Sequence, residues 1–252
     1  MLPGGYGVAI GPSVETGKAE AKARKVKYPQ QNFTDPPRTF LSNIDQGQNR
    51  SGGPLYDRTA VFVLTINPKT KNQPGKGWEV ILCRKAMGAA GGHKSEKDQV
   101  GFLTRRGTTT TAGASGTNPK YWGTWGSFGG TNDRTAKSNL QAGLMEVRDE
   151  GAMGRDVTSK FRMLHSFEMN KTMIYIAYCP WSKMSRIPHL DKGQDDGSRL
   201  ALLRSSHGEI AEIRKVPVDD VLRQGVLGNG LSGYALKSFE DVVLPFVNVL
   251  RS

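Results

Sequence analysis

The chain has 252 residues, with 35 lysines and arginines against 23 aspartates and glutamates, a formal net charge of +12. Hydrophobic residues make up 37% of it, with 31 glycines and 2 cysteines, which excludes a disulfide scaffold and fits a globular chain with generous loops and a buried core. No apolar run reaches bilayer-spanning length, and residues 1–11 lack a basic segment followed by an apolar one, so a cytoplasmic protein without membrane contact is expected.

Residues 1–57 are rich in Gly, Pro, Gln, Asn and Ser and carry the basic cluster Lys22, Arg24, Lys25 and Lys27. Prolines 29, 36 and 37 interrupt any helix there. An extended, partly disordered basic arm is expected, anchored by Phe33, Phe40, Leu41 and Ile44 and able to wrap a second subunit in a homodimer. The domain proper is expected over 58–252. Residues 59–65 and 78–85 read as buried strands joined by the polar stretch 67–76, a hairpin. Residues 86–121 have no core pattern, and ten basic residues against three acidic ones fall between Lys69 and Lys120. Loops of that length and charge are expected to form a surface for a nucleotide or RNA polyanion. Trp122 is a candidate for stacking a base, whereas Trp125 is assigned to the core.

Strand-like residues 125–128 run into Gly129 and Gly130, and a helix is expected over 133–150, capped by Asp133 or Thr135, with Leu140, Leu144 and Val147 on its apolar side. Glu146, Asp149 and Glu150 then fall at i, i+3 and i+4, with Cβ atoms about 5–6 Å apart. Such carboxylates form either a solvated face diluted by Arg148 or Arg155, or a site for a hard divalent cation. Downstream, 161–168 and 171–179 read as a hairpin turning at Met169 and Asn170, and 181–203 as a polar loop. Residues 208–216 read as a strand carrying Glu209 and Glu212, 217–224 as a helix opened by Pro217, and 234–249 as an amphipathic helix. Cys83 and Cys179 are expected as buried thiols, and the four histidines as structural, with His207 the one to watch.

The glycine pair followed by Met145-Glu-Val-Arg-Asp-Glu-Gly-Ala-Met153 resembles the Nudix box: Gly, five residues, Glu, seven residues, then Arg-Glu-apolar-x-Glu-Glu-x-Gly-apolar. Glu146, Val147, Glu150 and Met153 fall on the pattern, and Asp149 stands in for the second acid. Met145 replaces the arginine, Ala152 the second glycine and Lys137 the upstream glutamate, and Gly130 lies one residue farther from Glu146 than the pattern has it. The order of elements over about 58–249 is also similar to the family's. The resemblance implies an α/β fold, a Nudix-like α/β/α sandwich with a mixed sheet, here decorated by long basic loops and the N-terminal arm. It implies a metal-dependent pyrophosphohydrolase that uses Mg²⁺ or Mn²⁺ to cleave a phosphoanhydride in a nucleoside diphosphate derivative or at an RNA 5′ end. Glu146 and Glu150 would be catalytic metal ligands, Asp149 a supplementary one, and the Gly130 carbonyl a further contact. Arg84, Lys85 and Arg105 or Arg106 would hold the diphosphate, and Glu209 or Glu212 would act as general base or further ligand. Met145 cannot orient a catalytic glutamate, a task left to Arg148 or Arg162, and Lys137 removes an oxygen donor, so modest turnover is expected. The alternative is a catalytically impaired Nudix domain serving as an RNA- or nucleotide-binding or structural nucleoprotein module.

Overall fold

The computed structural model describes residues 44–70, 77–86, 123–132, 135–192, 195–206 and 208–251. The expectations placed on residues 1–43, His93, Arg105, Arg106, Trp122, Asp133 and His207 lie outside the described residues.

The fold is mixed α/β, built on one seven-stranded mixed sheet. β1 (Arg58–Ile66) and β2 (Trp78–Lys85) form the expected antiparallel pair, with Val63 opposite Ile81. β1 is buried almost throughout, because it is flanked on both edges and covered on both faces. Its other edge pairs in parallel with β6 (Thr172–Tyr178), and the outer strand β5 (Arg162–Met169) runs antiparallel to β6. β7 (Ile210–Pro217) lines the free edge of β2. Where β1 and β2 diverge, two short strands bridge the gap: β3 (Trp125–Gly126) pairs with the end of β2, and β4 (Phe128–Thr131) with the start of β1.

Side chains of a strand alternate between faces, and β1 divides accordingly. Ala60, Phe62 and Leu64 enter one core, Val61 and Val63 the other. The second core is covered by α1 (Asn139–Gly151), α2 (Arg155–Thr158) and α3 (Asp196–Ser205) through Val147, Val157 and Leu202. The first is closed by the C-terminal helix, α4 (Gly233–Ser238), a π-helical turn (Phe239–Val243) and α5 (Leu244–Arg251), through Phe239, Val243 and Val247. Cys83 and Cys179 are buried free thiols, as expected.

Several elements differ from the sequence reading. α1 begins at Asn139 rather than 133, and its cap is Ser138, whose Oγ accepts the Gln141 N–H at 3.1 Å. Gln141 Oε1 in turn accepts the N–H of Lys137, the residue before the cap, at 2.8 Å, so the Gln141 side chain ties the incoming chain to the first turn. The β5–β6 turn is centred on Asn170 and Lys171, both left-handed at φ 50° and 57°, not on Met169 and Asn170. The polar loop 181–203 contains a 3₁₀ turn (Trp181–Arg186) and α3, capped by Asp195, whose carboxylate accepts the Gly197 N–H and the Ser198 hydroxyl. The helix expected after Pro217 is only a 3₁₀ turn (Val218–Asp220), followed by glycines 225, 228 and 230 at positive φ. Residues 44–57, grouped by composition with the arm, pack on the domain. Buried Asn139 binds the Tyr56 N–H and C=O, and the Asn139 and Leu140 N–H groups donate to Gly47 and Gln46 carbonyls. Tyr175 donates its hydroxyl hydrogen to Asp45 O at 2.9 Å.

Candidate functional site

The site forms where the β3–β4 bridge meets the last turns of α1. Gly129 has φ 140°, and a Cβ there would collide with the Thr59 carbonyl, so only glycine lets β4 lie this close to β1. That approach aims the Gly129 N–H at Glu150 Oε2, 2.6 Å away. On the other side Lys85, the last residue of β2, donates from Nζ to Glu150 Oε1 at 2.6 Å. Glu150 is 2% exposed, so the ion pair and the backbone donor together make its burial tolerable. Burial alone would pull the Lys85 ammonium down, but the Glu150 carboxylate reverses this and holds it above its ordinary value. Burial pushes the Glu150 carboxyl up, against the opposing pull of Lys85 and the Gly129 N–H.

Glu146 sits one helical turn earlier, its carboxylate against Gly130: a Cβ on that glycine would stand 3.5 Å from Glu146 Oε1. It makes no hydrogen bond or ion pair with the described residues. Burial, then the Glu150 charge, pushes its carboxyl up to about 8, with Glu209 and Asp149 adding to the rise and Lys85 opposing it. Glu209, half-buried just before β7, also acts on Glu150 and Lys85, so it belongs to the same cluster. Three carboxylates, Glu146, Glu150 and Glu209, therefore share one ammonium.

Other expected site residues stand elsewhere. Asp149 points to solvent and does not converge with Glu150, which turns inward. Arg84 is on the face of β2 opposite Lys85; its Nε binds Glu212 Oε2 at 3.1 Å, so the two basic residues do not grip one diphosphate. Glu212 also accepts Arg214 at 2.6 Å, and Arg214 lies 4.8 Å over the ring of buried Trp125, which takes Glu212 out of the running as a base at the cluster. Arg148 donates to Thr158 Oγ1 at 3.1 Å, tying α1 to α2 rather than orienting an acid. Trp181, read as part of a polar loop, packs on the core with Lys215 Nζ 5.1 Å above its ring.

Sequence reading did not anticipate that Lys85 pairs with Glu150. The signal was available in part: β2 places residues 81, 83 and 85 on the face that α1 covers, where Ile81 and Cys83 are fully buried, and a lysine there needs an acid. The role of Asn139 had no such signal, because its partners are backbone groups more than 70 residues away.

Hard oxygen donors suit Mg²⁺ or Mn²⁺ in kind. Among the described residues no three His, Cys, Asp or Glu side chains are already gathered as ligands. Glu146 is the open donor, unpartnered and mostly buried, while Glu150 is engaged by Lys85. No protein-family model matches the chain, and no curated protein matches it. Among the described residues no helix is long and apolar enough to cross a membrane.

Proposed function

We propose that the protein is a Nudix-like, metal-dependent hydrolase of phosphoanhydrides in a nucleoside diphosphate derivative or at an RNA 5′ end. The observation that carries this reading is the half-buried Glu146 carboxylate, unpartnered among the described residues, beside Glu150 and Glu209, with one described lysine, Lys85, to offset the three acids. A divalent cation relieves that imbalance, and when bound it polarises a phosphoryl oxygen and lowers the pKa of an attacking water. In this reading Glu146 and Glu150 hold the cation, and Glu209 receives a proton from water at the cluster's edge. Lys85, with Arg105 from the basic 69–120 segment, faces the phosphates, and Trp122 stacks the base. The parallel β1–β6 pairing, the helices on both sheet faces and the glycine turn entering α1 support a Nudix-like arrangement. A cytoplasmic setting and an arm-mediated homodimer remain part of the same proposal.

A second reading, a nucleotide- or RNA-binding module without turnover, is favoured by one observation. Both Glu150 oxygens are already occupied, by Lys85 and Gly129.

The test is phosphate or nucleotide release from ADP-ribose, dinucleoside polyphosphates, nucleoside triphosphates and capped RNA with Mn²⁺ or Mg²⁺, for wild type and Glu146→Gln. Among the described residues Glu146 has no hydrogen-bond or ion-pair partner to lose, so its glutamine variant is expected to keep the fold. Metal-dependent release by wild type that drops about 100-fold or more in the variant supports the hydrolase. Equal inactivity of both, with RNA binding intact in both, leaves the binding module.

A further inference from the structure

We propose that Lys85 is the built-in counter-cation of the carboxylate cluster and that a divalent metal ion binds by displacing its ammonium from Glu150. The inference rests on the metal-binding reading above and adds to it the residue that competes with the metal.

The geometry separates the fixed from the movable parts. The Lys85 backbone is held on both sides: its N–H donates to Thr124 O at 2.9 Å, and its carbonyl accepts the Gly123 N–H at 3.1 Å. Ala86, next in the chain, donates to Glu209 O at 2.7 Å, so the cluster's rim is fixed by main-chain bonds. The Lys85 side chain is 22% exposed whereas that of Glu150 is 3% exposed. Its ammonium, on a flexible four-carbon stem, can therefore swing toward water while Glu150 stays in place. Glu150 remains aimed by the Gly129 N–H on its other oxygen, so exchange frees Oε1 without reorienting the carboxylate.

Charge supplies the drive. A single ammonium satisfies one of three acids and leaves Glu146 unpartnered; a divalent ion placed between Glu146 and Glu150 engages both. The exchange moves no proton, since lysine leaves as an ammonium. A purely structural Lys85–Glu150 pair would instead hold the helix end to β2 whether or not metal is present.

Mn²⁺ binding measured by electron paramagnetic resonance on wild type, Lys85→Gln and Lys85→Arg tests this. Removing the competing charge tightens Mn²⁺ binding by about tenfold in Lys85→Gln, while Lys85→Arg stays within about twofold of wild type. Lys85→Gln binding no tighter than wild type overturns the exchange. Should Lys85→Gln fail to fold by circular dichroism, wild type answers alone. The Lys85 ammonium ¹⁵N resonance, assigned by its loss in Lys85→Arg, shifts and gains fast water exchange as diamagnetic Mg²⁺ saturates the protein. An unchanged resonance at saturation overturns the proposal. Mn²⁺ uptake and turnover by wild type with no gain in Lys85→Gln sinks the exchange alone. No Mn²⁺ uptake by any of the proteins at millimolar concentration sinks the metal reading and the exchange with it.

Discussion

At Glu146 the physics is simple and testable without a substrate. Its folded carboxyl holds a proton up to about 8, against an ordinary value of 4.5, because burial and the neighbouring Glu150 charge disfavour ionisation. The folded state therefore binds the proton more tightly than the unfolded chain, and the contribution is stabilising while the group is protonated. Stability of the metal-free protein falls as pH rises from about 4.5 to about 8, by at most about 1.4 kcal/mol per pH unit from this group, and levels off above. Urea unfolding across that window should show the fall in wild type and a flatter profile in Glu146→Gln. An identical slope in both would remove Glu146 as its source. Glu150 differs in being paired, through Lys85 and the Gly129 N–H. Glu150→Gln strands the Lys85 ammonium beside a neutral amide and is expected to cost about 3 kcal/mol in the same assay, so its loss of activity would mix folding with chemistry. Spacing along the helix made both acids legible, but not which faced inward. That depends on the helix starting at Asn139 and on a lysine from another strand.

The elements that position the site depend on two close approaches. Gly129→Ala forces a methyl into the Thr59 carbonyl at a φ that side chains rarely adopt, an expected loss of roughly 3 kcal/mol by thermal or urea denaturation. In α1, a Cβ on Gly143 would lie 2.7 Å from Val61 Cγ2 and 2.8 Å from Thr59 Cγ2, so Gly143→Ala must push the helix off β1. It is expected to lower stability by about 1–3 kcal/mol despite the higher helix propensity of alanine; a more stable variant would contradict this packing account. The strands were legible because β1, β2 and β6 are continuous apolar runs buried on both faces. α3 was not, because it buries only Ser198, Leu202 and Leu203, with Leu200 partly covered, too narrow a stripe to stand out. The helix expected over 217–224 stops after one 3₁₀ turn, Val218–Asp220, and the glycines that follow it at 225, 228 and 230, all at positive φ, turn the chain away instead of extending it.

For the molecule as a whole, the +12 charge and the acidic cluster do different work. In the proposed function the basic residues between Lys69 and Lys120 draw in a polyanion at long range, and the cluster acts on the phosphate that reaches it. Binding to single-stranded RNA is therefore expected to weaken with salt, with a log–log slope of about −3 if roughly four phosphates are engaged. Fluorescence anisotropy over a salt series measures this, and Glu146→Gln should leave the slope unchanged. A salt-independent affinity would sever charge from recognition. The α/β class was legible from the sequence, because apolar strand runs and amphipathic helical stretches stand side by side in the chain and must pack on one another. The attachment of residues 44–57 was not, because it is carried by side-chain-to-backbone bonds to Asn139 rather than by an apolar pattern. Anomalous diffraction from crystals soaked in Mn²⁺ decides whether Glu146 and Glu150 together hold a divalent cation: a manganese peak bonded to both carboxylates with Lys85 withdrawn is expected, and crystals with no peak there and Lys85 still on Glu150 would overturn the metal site.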